Sequence, residues 1–284
     1  MRLDDGVDAL LHRLENFYDA VPRRGAAPED HGPLRVFLPE PGAWPYYARP
    51  AGPAAVVTTA DVLAVRARQR ELGLPEAFEW VHDVTPSLTA AAEEAGLVVE
   101  RCPLLVLAGE PADSPPGSIV RLLDADADDE ELAVAEAVAS VGFGAGIGTR
   151  VGPSGTAERD RAVAAVPAAR VERIRRLLGE GVVGRAVASL HDGGPDRRLR
   201  GPLAAGGYQR AGDVVEVVGV ATLPVARRRG LGGAVAGALA RAALGAGATT
   251  VFLSAQDDDV ARVYERLGFR RVGTAALAEP PARS

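Results

Sequence analysis

The chain has 284 residues, a length that suits two modest domains better than one. Hydrophobic residues make up 47% and charged residues 25%, the balance of a soluble globular protein with a real core. The net charge is −6 and every one of the 32 basic residues is arginine. That balance argues against nucleic acid as the main partner, because neutralising phosphates needs a basic face. The sole cysteine, Cys102, leaves no internal disulfide to form. No apolar run approaches the roughly 18 residues of a membrane span. The start, Met1 to Asp5, lacks the apolar core of a signal peptide, so a cytoplasmic location with no membrane partner is expected.

In chain order, Leu10, Leu11, Leu14, Phe17 and Tyr18 share one face of an amphipathic helix over 8–18. Pro22 to Pro33 reads as loop, Leu34 to Leu38 as a strand, and Trp44 to Ala48 as a short strand within a Pro/Gly-rich stretch. A helix is expected from Asp61, as N-cap, to Leu72, with Gly73 closing it. Phe78 to Val81 is a short strand, and Thr85-Pro86 opens a helix that ends at Gly96. Leu97 to Leu107 is a strand in which Pro103 suggests an edge or a bulge.

Gly109 to Gly117, with Pro111, Pro115 and Pro116, is the best linker in the sequence. Ser118 to Leu123 is then a strand, and Asp128 to Val141 a helix whose acidic start suits its dipole. Residues 142–148 form a small-residue loop, and 157–178 is helical with a break near Pro167. The cluster Arg173 to Arg176 on that helix reads as a solvated face. Strands follow at 182–191, 203–210 and 214–223, then a helix over 231–244, a strand over 251–254, a helix over 258–267 and a strand over 269–277. The order helix, strand, helix, Gly, strand thus occurs twice, over 61–107 and 231–277, which suggests two copies of one fold, the first degenerate.

The chemistry concentrates after the strand that starts at Glu216. Gly230, Gly232 and Gly233 open a helix, where exposed N–H groups and the helix dipole favour a diphosphate and the missing Cβ atoms allow its approach. Arg227, Arg228 and Arg229 can add charge-assisted hydrogen bonds. A dinucleotide fingerprint fails because Val235 stands where its third glycine belongs, and a P-loop fails for want of lysine. What fits is R-x-x-G-x-G, carried by Arg227, Gly230 and Gly232. Downstream, Asp258, Ala261, Tyr264, Gly268 and Phe269 follow in the order of a second signature in which asparagine is more usual than Asp258.

Together these two motifs resemble those of the GNAT N-acetyltransferase superfamily, over roughly residues 118–277. The resemblance implies an α/β fold with a mixed central sheet flanked by helices. A complete GNAT domain is expected at 118–284, after a degenerate GNAT-like domain at 1–110 and a linker at 111–117. It implies acetyl-CoA as cosubstrate. Val220, Ala221 and Thr222 would pair with the pantetheine arm. Arg227 to Arg229, Gly230, Leu231, Gly232 and Gly233 would hold the pyrophosphate, with Asp258, Ala261 and Tyr264 completing the cofactor site. Tyr264 stands where many members place the acid that protonates the thiolate; it also reads as a buried aromatic beside Val260, Ala261 and Leu267. Glu216 has a spacing similar to the general base of family histone acetyltransferases; it also reads as a solvent-facing strand end. His12, His31, His82 and His191 have no metal-ligand spacing, so no metal is expected. His191, Trp44, Tyr46, Tyr47 and Trp80 are candidates for an acceptor site.

The expected activity is acetyl transfer to a small-molecule amine, by a protein for which a homodimer is an open assembly. A non-catalytic acyl-CoA-binding or regulatory protein and a protein or peptide acetyltransferase are the rivals. Acceptor-dependent release of coenzyme A separates the first rival from an enzyme.

Overall fold

A computed structural model describes residues 3–40, 45–52, 56–113, 117–144, 154–191 and 199–281. Trp44, residues 114–116 of the expected linker, residues 145–148 of the glycine loop and residues 192–198, between two expected strands, lie outside the described residues. The chain divides into two units: residues 1–105 with 254–262 and 271–284, and residues 106–253 with 263–270.

In the first unit, α1 (Leu3–Ala20) buries Leu11, Leu14, Phe17 and Tyr18, the stripe its periodicity requires. β1 (Ala26–His31) and β2 (Leu34–Pro39) form an antiparallel hairpin that turns at Gly32, whose φ of 59° lies in the left-handed region. β1 falls where the sequence reads as loop: Ala-Ala-Pro-Glu-Asp-His has no apolar alternation, and only the pairing with β2 makes it a strand. β3 (Arg49–Pro50) adds to β2, and only Ala48 of the expected 44–48 strand makes a bridge, to Phe78.

α2 (Thr59–Glu71) is capped by Thr58 instead of Asp61. Asp61 is the acidic partner of a capping box: its carboxylate accepts the Thr58 N–H at 2.9 Å. β4 (Phe78–Val81), α3 (Ser87–Glu94) and β5 (Val98–Leu107) follow, and β11 (Phe269–Glu279) lies between β4 and β5. The register Phe78↔Ala278 and Trp80↔Ala276 puts these four residues on one face. There they join Leu34, Val36, Val62, Val65 and Leu88 in one core. Pro103 is not at an open edge: β11 flanks β5 on one side, and the Pro103 carbonyl accepts the Ala255 N–H at 2.9 Å.

Among the described residues of this unit two charged ones are buried. Arg49, 2% exposed, donates to Glu79 at 2.9 Å and lies over the rings of Tyr18 and Phe37, at 5.3 and 5.9 Å. The Glu15 carboxylate accepts the Val81 N–H at 2.6 Å. Burial pushes its pKa up to about 7, against the pull of Arg49.

The second unit is built on a mixed sheet. β6 (Ser118–Leu123), β7 (Val183–Leu190), β8 (Ala204–Ala211) and β9 (Val214–Thr222) pair antiparallel in sequence order, and β10 (Thr250–Ser254) joins β9 in parallel. α4 (Asp129–Phe143) starts from a capping box of Asp128 and Glu131. The expected break at Pro167 separates α5 (Thr156–Val163) from α6 (Ala168–Gly179). α7 (Leu231–Gly245) is rich in Ala and Gly, so it lies close across β7, β8 and β9, while α4 packs on β8 and β9.

Glycines where these elements approach show the two sides. A Cβ on Gly206 would stand 2.9 Å from Val235 of α7 and 3.0 Å from Val220, whereas a Cβ on Gly142 of α4 would stand 2.8 Å from that of Ala221. Val220 and Ala221 are neighbours on one strand and point to opposite faces. α7 and α4 therefore cover opposite faces of the sheet at the end of β9.

Candidate functional site

β9 leads into the site and departs from regular pairing. Its pairing with β8 slips between Ala205 and Gly207, so that Gly219 and Val220 together oppose Gly206. This is a β-bulge, and Gly219 meets its backbone demand with a φ of 64°. On the other side, the ladder with β10 runs from Thr250↔Val214 only to Phe252↔Glu216. Beyond that point Val217 to Thr222 are held by β8, and their edge toward β10 diverges. An edge of this kind presents backbone N–H and C=O groups to an extended ligand, which can add to it like a strand.

The same strand then turns through Pro224–Ala226, a single 3₁₀ turn, into the exposed run Arg227 to Gly230. Arg228 has a φ of 61°, the one positive value at a non-glycine among the described residues, and Gly230 follows at 77° as the N-cap of α7. The first intrahelical bond is Ala234 N–H to the Gly230 carbonyl, at 2.9 Å. The N–H groups of Leu231, Gly232 and Gly233 therefore point forward from the helix start with no helical acceptor. A Cβ on Gly232 would sit 3.3 Å from the Thr222 hydroxyl, so the absent methyl keeps the groove between β9 and α7 clear. Leu231 is buried beneath and anchors the turn.

The next helix is α8 (Asp258–Glu265). A Cβ on Gly233 would meet Val263 at 3.8 Å and Leu267 at 3.7 Å, so the first turn of α7 packs directly on the end of α8. Next to Val263, Tyr264 is 9% exposed, with its ring edge-on to Phe269 at 6.1 Å. Burial pushes its phenol up to about 12, so it stays protonated well into the alkaline range. Glu216, 6% exposed, is buried at the point where β10 leaves β9, and not solvent-facing. It lies roughly 20 Å along the strand from Thr222, by the rise of an extended chain, so it belongs to the opposite end of the groove from the Gly-rich turn.

Other candidates fall in different places. The Asp258 carboxylate accepts from Arg271 at 3.0 Å, and it is Asp257 that caps α8, taking the Val260 N–H at 2.8 Å. Ala261 is buried and Trp80 is fully enclosed in the core of the first unit. Among the described residues no group of three His, Cys, Asp or Glu side chains is placed to hold a metal ion.

The arrangement of the chain as a whole also occurs in solved structures. Over 96% of both chains this one is similar to a GCN5-related N-acetyltransferase from Kribbella flavida, at 23% identity and a TM-score of 0.69. The chain has the GNAT fold. A tandem GNAT protein from the clavulanic acid biosynthesis pathway matches over 88% of this chain and 79% of its own, with 16% identity and a TM-score of 0.51. A GCN5-related N-acetyltransferase-like protein from Streptococcus suis matches over 87% and 83%, with 16% identity and a TM-score of 0.50. The family model for FR47-like protein matches residues 197–277, which contain β8, β9, α7, β10 and α8. No curated protein sequence matches the chain. No helix among the described residues is long and apolar enough to cross a membrane.

Proposed function

We propose that this GNAT-fold protein is an acetyl-CoA-dependent acetyltransferase whose acceptor is a small-molecule amine. The observation that carries this reading is the conjunction in one strand of an open backbone edge at Val217–Thr222 and a glycine-led helix N-terminus directly after it. The edge suits the amide-bearing pantetheine arm, and the turn at Arg228 to Gly233 suits the diphosphate, whose charge the forward N–H groups and two exposed arginines would share.

The reacting thioester would then lie along the open edge of β9, between Glu216 and Tyr264. The amine nitrogen bonds to the acetyl carbonyl carbon, its proton passes to the Glu216 carboxylate, and the carbon–sulfur bond breaks. The departing sulfur takes the proton held by Tyr264. A phenol near 12 is a weak acid toward a thiolate in water, but the burial that raises the phenol also raises a thiolate beside it. The two sites exchange protons with solvent before the next turnover.

The first unit offers no second cofactor turn at α2. That helix start is satisfied by the capping box of Thr58 and Asp61, and a carboxylate in the first turn repels a diphosphate. Its proposed role is to add to the stability of the chain.

The test is a panel of primary amines assayed for release of coenzyme A from acetyl-CoA. Acceptor-dependent release supports the enzyme. Binding of acetyl-CoA without release for any amine favours the non-catalytic acyl-CoA-binding rival.

A further inference from the structure

Arg227 opens the R-x-x-G-x-G motif, yet its guanidinium is directed away from the helix start. Nη2 donates to the Gly142 carbonyl at 2.8 Å, and Nε makes a longer contact to the Thr222 carbonyl at 3.4 Å. Gly142 lies in the last turn of α4, where carbonyls have no N–H partner within the helix. A Cβ on Gly142 would stand 2.8 Å from the Ala221 Cβ and 3.4 Å from both the N and O of Thr222. The end of α4 thus rests on the end of β9, and Arg227 ties the two together. A second tie from the same turn is the Val225 N–H, which donates to the Ser154 carbonyl at 3.3 Å, just before α5.

We propose that Arg227 is a positioning residue that fixes the open end of β9 against α4, and that Arg228 and Arg229 carry the charge recognition of the diphosphate. Turning the Arg227 fork toward a phosphate would strand the Gly142 carbonyl in the interface. Arg228 and Arg229 are exposed, and among the described residues neither side chain has a hydrogen-bond or ion-pair partner. The geometry also requires guanidinium and not merely positive charge, because one group must reach two carbonyls in different directions, which an ammonium does poorly. This inference rests on the reading of the β9–α7 turn as an acyl-CoA site.

Calorimetry with two probes separates the roles: coenzyme A, and adenosine 3′-phosphate 5′-diphosphate, which has the phosphates but no pantetheine. Arg227→Ala is expected to weaken coenzyme A about tenfold while leaving the diphosphate probe within about twofold. Arg227→Lys is expected not to rescue it. The Arg228→Ala/Arg229→Ala double variant is expected to weaken both probes. Gly142→Ala, which keeps every charge, is expected to mimic Arg227→Ala, and it serves as the second variant if Arg227→Ala does not fold. Equal loss of both probes in Arg227→Ala, or full rescue by lysine, would overturn the proposal. Failure of the wild type to bind either probe would instead overturn the site reading beneath it.

Discussion

The parallel ladder between β9 and β10 stops at the pair Glu216 and Phe252. Glu216 is therefore the last β9 residue with a backbone neighbour on both sides, and its buried carboxyl stands where the strand edge becomes available to a ligand. As the proposed base it should act on turnover and not on cofactor affinity. Glu216→Gln is expected to lower kcat by about a hundredfold, within the usual range for a general base, while acetyl-CoA binding stays within about twofold. Steady-state kinetics and calorimetry on the same preparation check this.

Burial makes Tyr264 hold its proton more tightly than a free phenol does, which links activity to stability in a testable way. Its pKa is raised from 10.0 to about 12, so the folded state binds the proton more tightly than the unfolded state. The associated stability is fully present below pH 10 and is lost as pH rises toward 12. Tyr264→Phe is expected to flatten the fall in denaturant midpoint over that window and to lower kcat by about a hundredfold at pH 7.5.

Glu15 gives a similar effect nearer neutrality. The groups around it are Arg49, Glu79, Asp19 and the Val81 N–H, and burial outweighs them to raise its pKa from 4.5 to about 7. Its contribution is complete below pH 4.5 and is lost as pH rises through 7. Glu15→Gln, which keeps an acceptor for Val81, is expected to be more stable than wild type at pH 8 by up to about 3 kcal/mol and equal to it near pH 4. Urea unfolding at the two pH values measures this.

Gly206 tests the packing at the bulge. A methyl group there meets Val235 at 2.9 Å and Val220 at 3.0 Å, and a strand buried between two helices has little freedom to yield. Gly206→Ala is expected to cost about 1–3 kcal/mol in unfolding free energy. Gly212→Ala, at an open turn position with nothing within 4 Å but a φ of 61°, is expected to cost about 1 kcal/mol, by backbone strain alone.

The glycine-led turn and the order of elements from β6 onward were legible in the sequence because both are local. Apolar strands, a helix capped by glycine and a Gly-Phe strand start each show themselves within a few residues. What was not legible depends on partners distant in the chain. β1 is a strand only through β2, and the divergence of β9 from β10 depends on where two separate strands stop pairing. The bulge at Gly219 and Val220 left only a glycine inside an apolar run. The contact of Arg227 with Gly142 spans most of the second unit's sequence, so the motif alone assigned that arginine to phosphate. Local competition explains the cap of α2: Thr58 outranks Asp61 because its hydroxyl reaches a free N–H of the first turn.

The most direct measurement is calorimetric titration of acetyl-CoA into the wild type and Gly230→Glu. Gly230 has a φ of 77° at the mouth of α7, so the variant puts both a strained side chain and a negative charge where the diphosphate would lie. Micromolar binding by the wild type, weakened at least about a hundredfold in the variant, is expected for an acyl-CoA site at this turn. No binding by the wild type, or equal binding by both proteins, would contradict it.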